Sequence, residues 1–362
     1  LFSGLRAALS TGVAVQIAHR IGAGEIENAR SIVRQAYFSM LCWSTLLMTI
    51  AFSISPFLPG WLGANTDIHA GATLYFSIYA LTMPILGLHW ISGAMLRCSG
   101  NIKVPSFLGI CMCALDVIFN FCFIFPTRTL DVLGHSFTVW GAGWGIAGAA
   151  LGTSFAALTV MLCIMWFLLL RSPELNQRGL KKLRLNLSRE VFRKAVSISN
   201  PMAFERVVMC GAQVFSTAIV APLGTIAIAA NSFGITIESL CYMPGYGVAE
   251  AATTLTGQTL GAKRMDLTRS FTNIVIGMGI GVMTFMGFLM YTFAPEMMTI
   301  VTPHQDIIAL GTQVLRIEAF AEPMFAASIV AYSIFVGAGK TVISSTTNFT
   351  CIWLVRLSFA WK

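Results

Sequence analysis

Long apolar runs divided by short polar gaps govern this chain. Ten segments recur, near 1–19, 31–57, 70–97, 103–125, 144–171, 196–221, 225–258, 267–293, 308–337 and 342–361. Most hold at least the ~20 residues that a helix needs to cross the ~30 Å hydrocarbon core of a bilayer. The gaps are patterned too. The first holds Arg20, Arg30 and Arg34, the third Arg97 and Lys103, the seventh Lys263, Arg264 and Arg269, and the ninth Lys340. The fifth carries Arg171, Arg178, Lys181, Lys182, Arg184, Arg189, Arg193 and Lys194, whereas the even gaps hold only Arg128. Basic loops stay on the cytoplasmic side. The alternation therefore assigns a side to every gap and supports the segment count.

The pattern occurs twice. An offset of 239 residues pairs Gly22 with Gly261, Arg30 with Arg269, Pro56 with Pro295, Asp67-Ile68 with Asp306-Ile307, Pro84 with Pro323 and Gly100 with Gly339. No gap is needed, and Gly and Pro have special backbone demands that chance matches would not respect. The chain is two copies of one unit. Residue 1 aligns with Leu240 and the last residue with position 123, both inside apolar runs, so each end is expected to fall within a helix. Restoring about one helix at each end gives two lobes of six. An even number per lobe makes the repeats parallel, related by a pseudo-two-fold axis along the membrane normal. The expected fold is an all-α polytopic membrane protein with about ten helices present. Its parts are a first lobe at 1–171, a basic cytoplasmic linker at 172–195 and a second lobe at 196–362.

Composition agrees: 56% of the 362 residues are hydrophobic, 10% are charged, and the mean hydropathy is +0.76. Soluble domains carry about 25% charged residues. The net charge of +8 belongs to cytoplasmic loops and not to a nucleic-acid-binding surface. Nine cysteines lie in or beside apolar segments, and none forms a pair with metal-ligand spacing. They read as small packing residues.

Specific motifs refine this picture. The loop IGAGEIENAR (21–30) is echoed by LGAKRMDLTR (260–269), and LRCSGNIKVP (96–105) by FVGAGKT (335–341). GIAGAALGT follows at 145–153 and APLGTIAIAAN at 221–231. Together these resemble the multidrug and toxic compound extrusion (MATE) family over essentially the whole chain. The resemblance implies two six-helix bundles with alternating access around a central cavity, and export of amphipathic, usually cationic organic molecules in exchange for H⁺ or Na⁺.

A charge at mid-bilayer costs roughly 2.5–3.5 kcal/mol on insertion scales, so each intramembrane acid needs a reason. Asp116 falls mid-segment with Asn120 one helical turn on. In the family pattern this helix often carries Asn and Asp four apart; here the order is reversed, and Thr153 matches the Thr on the next helix. Asp116, Asn120 and Thr153 are the expected coupling set, able to take a proton or a Na⁺ ion. Glu205, Glu238 and Glu322 are the expected substrate or cation acids of the second lobe. Arg206 and Glu250 are expected to form a structural ion pair.

Other chemistry falls away. Gly337-Ala-Gly-Lys-Thr341 lacks the upstream Gly and the strand of a phosphate loop. No nucleophile–base set emerges, so an enzyme is not expected, nor any cofactor beyond the coupling ion. A lipid-linked oligosaccharide flippase of a related superfamily is the alternative. Its anionic substrate favours a basic cavity, whereas Asp116, Glu205, Glu238, Glu250, Glu318 and Glu322 here outnumber Arg6, Arg206, Arg316 and Arg356. The expected setting is a bacterial inner membrane, with a monomeric multi-pass chain, a drug-like or metabolite solute, and no nucleic acid.

Overall fold

Apolar runs in lipid can satisfy their backbone only internally, and the chain answers with helices. The structure, a computed structural model, describes residues 2–61, 66–132, 135–177, 188–220, 222 and 224–356. The first half contains α1 (Phe2–Gly22), α2 (Ile26–Ile54), a short α3 (Leu58–Trp61), α4 (Thr66–Leu81), α5 (Met83–Cys98), α6 (Lys103–Ile124) and α7 (Gly145–Trp166). A π-helical turn, Phe167–Arg171, extends α7. The second half contains α8 (Arg189–Val220), α9 (Thr225–Gly261), α10 (Met265–Val301), α11 (Gln305–Ala319), α12 (Glu322–Gly337) and α13 (Thr341–Phe349), with a second π-helical stretch at Thr350–Arg356. Among the described residues, α2, α6, α7 with its extension, α9 and α10 are each long and apolar enough to cross a membrane. The pairs α4–α5 and α11–α12, bent by 45° and 56°, are each long and apolar enough to cross a membrane when taken together.

The 239-residue offset holds element by element. Met83–Cys98 recurs as Glu322–Gly337, and the starts of α4 and α11, Thr66 and Gln305, correspond as well. Pro84 and Pro323 sit in the first turns of α5 and α12, where a missing N–H costs nothing. Each break therefore has a covalent cause at the same place. Proline also accounts for a subtler match. Next to Pro295, α10 is kinked at Phe293; the equivalent Ile54 ends α2 just before Pro56.

The two halves meet tightly at the end that carries the basic loops. A Cβ on Gly22 would collide with the carbonyl oxygen of Gln258, and one on Gly261 with that of His19. Gln258 and His19 are themselves 239 residues apart. Only glycine lets α1 and α9 approach so closely, and the approach is made reciprocally. Separate apolar cores sit on either side. One joins Val13, Val33, Met40, Ile91 and Ile164; the other joins Ile237, Met290, Met298 and Leu315.

Two features differ from the sequence expectation. The connection between α6 and α7 is an antiparallel hairpin of β1 (Pro126–Val132) and β2 (His135–Ala142). Its short stretches of alternating residues have strand period, which a search for long apolar runs passes over. The expected linker 172–195 also ends early, because α8 begins at Arg189. Ser188 starts it: its carbonyl accepts from Phe192 N at 3.2 Å and its Oγ from Val191 N at 3.5 Å. The linker bases Arg178, Lys181, Lys182 and Arg184 lie outside the described residues.

Candidate functional site

Glu205 stands one turn beyond Pro201 in α8 and is only 8% exposed. Three neutral donors converge on it. Tyr332 OH of α12 donates to Oε2 at 2.8 Å, Ser345 Oγ of α13 to the same oxygen at 2.7 Å, and Asn348 Nδ2 to Oε1 at 2.7 Å. Ser345 and Asn348 are three residues apart and share a helix face. The buried carboxylate is thus held by three neutral donors, with no ion pair to it among the described residues. Sequence reasoning singled out Glu205 as a candidate but did not name these partners. The polar run Ser344-Ser345-Thr346-Thr347-Asn348 inside the tenth apolar segment was the available signal.

Glu322 is a different kind of acid. It is 2% exposed, and neither carboxylate oxygen has a hydrogen-bond partner among the described residues. As the first residue of α12 it lies at the α11–α12 break, where the helix N-terminus favours an anion. Its stem packs on α10 at Gly287, where an added Cβ would stand 3.2 Å from the Glu322 Cβ. Glu238 of α9 and Glu318 of α11 are close enough for their charges to act on it. Glu238 and Glu322 therefore belong together. Glu205 stands apart from them: its partner Tyr332 is ten residues along α12 from Glu322, roughly 15 Å at 1.5 Å per residue.

The first half is built on opposite chemistry at the equivalent break. The counterpart of Glu322 is Met83, whose carbonyl accepts from Nη1 of Arg6 at 3.3 Å. Arg6 is itself only 2% exposed. The second-half position matching Arg6 is Gly245.

Asp116 and Asn120 lie half-buried on α6, and Oδ1 of each is buried with no hydrogen-bond partner among the described residues. Asn120 abuts α7 at Gly152, where a Cβ would come within 2.9 Å of the Asn120 backbone nitrogen. Thr153 is the next residue, but its hydroxyl is engaged by the Ala149 carbonyl at 3.3 Å. Among the described residues there is no cluster of three or more His, Cys, Asp or Glu able to hold a metal ion.

The expected Arg206–Glu250 pair does not form. Glu250 instead accepts from Arg97 Nε at 3.1 Å. The reason is direction: the Arg206 stem lies against Gly4 of α1, where an added Cβ would stand 3.1 Å from Cγ. Arg97 stands in the last turn of α5, which meets α9 where Gln258 donates to the Cys98 carbonyl. The Arg97–Glu250 pair bridges the halves, whereas the expected Arg206–Glu250 pair lay within the second.

A bundle of paired, broken and reciprocally packed helices with buried acids defines a polytopic all-α membrane protein of transporter architecture. Comparison with known proteins gives the family. The MatE family profile matches residues 1–122 and 201–361, and the chain belongs to that family of membrane transporters. It is 23% identical over 359 residues to a probable multidrug resistance protein NorM of Thermotoga maritima, covering 98% of this chain and 73% of that protein. A probable NorM of Bacillus subtilis is 21% identical, over 99% of this chain and 76% of its own length. Among solved structures, a crystal structure of MATE in complex with MaD3S superposes with a TM-score of 0.88 at 19% identity, covering 99% of this chain and 77% of the other. An outward-facing multidrug resistance MATE family transporter of the MOP superfamily gives a TM-score of 0.86 at 19% identity and the same coverage.

Proposed function

We propose that the protein is a secondary antiporter that exports amphipathic, cationic organic compounds in exchange for H⁺ or Na⁺. It works by alternating access between lobes 1–171 and 196–362, as a monomer in a bacterial inner membrane with the 172–195 connection on the cytoplasmic side. The observation that carries this reading is the Glu205 cage. A buried carboxylate surrounded by two hydroxyls and an amide can exchange its donors for one cation, with four kinds of oxygen available if the Asn348 amide turns. Loading there changes the charge of the second lobe and so biases the balance between the two access states. Glu238 and Glu322 supply negative charge for a cationic solute. The acid excess runs against an oligosaccharide-lipid flippase with an anionic substrate.

Asp116, Asn120 and Thr153 form a second candidate coupling set, in the first lobe. The unengaged Oδ1 atoms of Asp116 and Asn120 favour it, because they leave lone pairs free for a proton or ion. The experiment that separates the readings uses purified protein in sealed vesicles, with an H⁺ or Na⁺ gradient imposed singly, and follows efflux of a fluorescent lipophilic cation. Efflux driven by one gradient, lost in Glu205→Gln and retained in Asp116→Asn, supports the Glu205 site. The reverse result moves coupling to Asp116. No efflux of the cation under either gradient overturns the function.

A further inference from the structure

On the flank of the bundle, α1 and α2 of the first half and α8 of the second enclose a groove of about 650 Å³. Its walls are apolar, formed by Leu5, Leu9, Phe38, Trp43, Leu46 and Phe192. Along α2 it runs from Gln35 to Leu46, about 16 Å at 1.5 Å per residue. The back wall is the contact between the halves, where Ser199 Oγ donates to the Ala8 carbonyl at 2.9 Å. At the mouth, Phe38 and Phe192 are 41% and 50% exposed.

The basic end of the groove is closed by a reciprocal pair. Gln35 Nε2 donates to the Ser188 carbonyl at 2.8 Å, and Ser188 N donates to Gln35 Oε1 at 3.2 Å. Arg189 lines the groove beside that pair. Arg193 and Lys194 are exposed on the following turn of α8, Arg34 adjoins Gln35, and the exposed acid in this stretch is Glu190. An apolar slot thus ends in a predominantly cationic rim, at the level where lipid headgroups meet a basic membrane face.

We propose that this groove binds one acyl chain of an anionic glycerophospholipid from the leaflet on the basic side, with its headgroup at Arg189. Charge selects the occupant: the rim attracts an anion and repels a cationic amphipath. Because the walls come from both halves, a bound lipid bridges them and favours the arrangement in which α1 and α8 touch.

The test reconstitutes the full chain in lipid nanodiscs with small mole fractions of phosphatidylglycerol or phosphatidylcholine carrying brominated acyl chains. Trp43 in the groove reports, as the difference in fluorescence between the wild type and Trp43→Phe. The expected result is saturable quenching of Trp43 at least threefold stronger with brominated phosphatidylglycerol. Arg189→Gln removes that preference, and Arg128→Gln, at the hairpin, keeps it. Ser39→Phe and Ala203→Leu, which fill the groove from opposite walls, each abolish the saturable quenching while the size-exclusion profile and unfolding temperature remain those of the wild type. Equal quenching by both lipids, or a preference insensitive to Arg189→Gln, overturns the proposal. So does displacement of the quenching lipid by a lipophilic cation, which would make the groove a solute site.

Discussion

His19 and Gln258 make the same bond in the two halves of the molecule. His19 Nε2 lies 2.8 Å from the Gly337 carbonyl oxygen, and Gln258 Nε2 donates to the Cys98 carbonyl at 2.7 Å. Donors and acceptors are both related by 239 residues. The His19 contact needs its proton on Nε2, and an amide presents an N–H in much the same way.

His19→Gln is therefore expected to leave the unfolding temperature within a degree or two of the wild type in detergent. His19→Leu leaves the Gly337 carbonyl without its donor, at about 1–3 kcal/mol for a buried acceptor. Thermal unfolding of both variants side by side checks this. Equal losses would mean that the ring is packing and not clasping.

Gly22→Val and Gly261→Val each place a side chain on a carbonyl of the opposite half. Each should destabilise the contact by about 1–3 kcal/mol. Because one crossing is damaged in both cases, the double variant should lose clearly less than the sum of the single losses. A double-mutant cycle in unfolding free energy gives the answer, and strict additivity would show two independent contacts.

Glu205→Gln preserves size but removes the charge on which Tyr332, Ser345 and Asn348 converge. Gradient-driven efflux is expected to fall at least tenfold, about 1.4 kcal/mol, at equal protein per vesicle. Ser345→Ala should cost less, since two donors remain. Efflux rates in the two variants that are equal, or ordered the other way, would separate the cage from coupling.

Glu322→Gln has two expected effects of opposite value. A buried carboxylate without a partner opposes folding, so the neutral variant should unfold at a higher temperature. The same change removes negative charge beside Glu238 and should weaken binding of a lipophilic cation several-fold. Isothermal titration and thermal unfolding on one preparation test the pairing of gain with loss.

Arg97 and Glu250 are partly exposed, so breaking their bridge should cost no more than about 1 kcal/mol. Arg97→Glu alone should weaken the basic-end contact, and adding Glu250→Arg should restore it. Failure of the exchange to rescue the unfolding temperature would show that the bridge is incidental.

The sequence made the span pattern and the repeat legible because Gly and Pro mark backbone events. Pro84 and Pro323 stood in register and proved to sit at equivalent helix breaks. The breaks themselves were less visible, since Thr82 and Ala321 interrupt their helices without interrupting the apolar run. Partners across space were hardest. Glu250 was matched by depth with Arg206, but depth does not tell which face a side chain takes, and Arg206 turns toward α1. Glu205 stood out as a charge in an apolar run, whereas Tyr332, Ser345 and Asn348 are common enough in membrane helices to pass unnoticed.

The equivalent breaks carry a buried arginine at Met83 in one half and a buried glutamate at position 322 in the other. From one duplicated scaffold, the chain has assembled an electrical polarity running across its width. With the halves related by an axis along the membrane normal, as proposed, that polarity lies in the plane of the bilayer. The membrane voltage acts along the normal and does little work on it. On the proposed function, a cationic solute would thus be turned sideways toward the second half with the same strength in an energised cell and in a de-energised one.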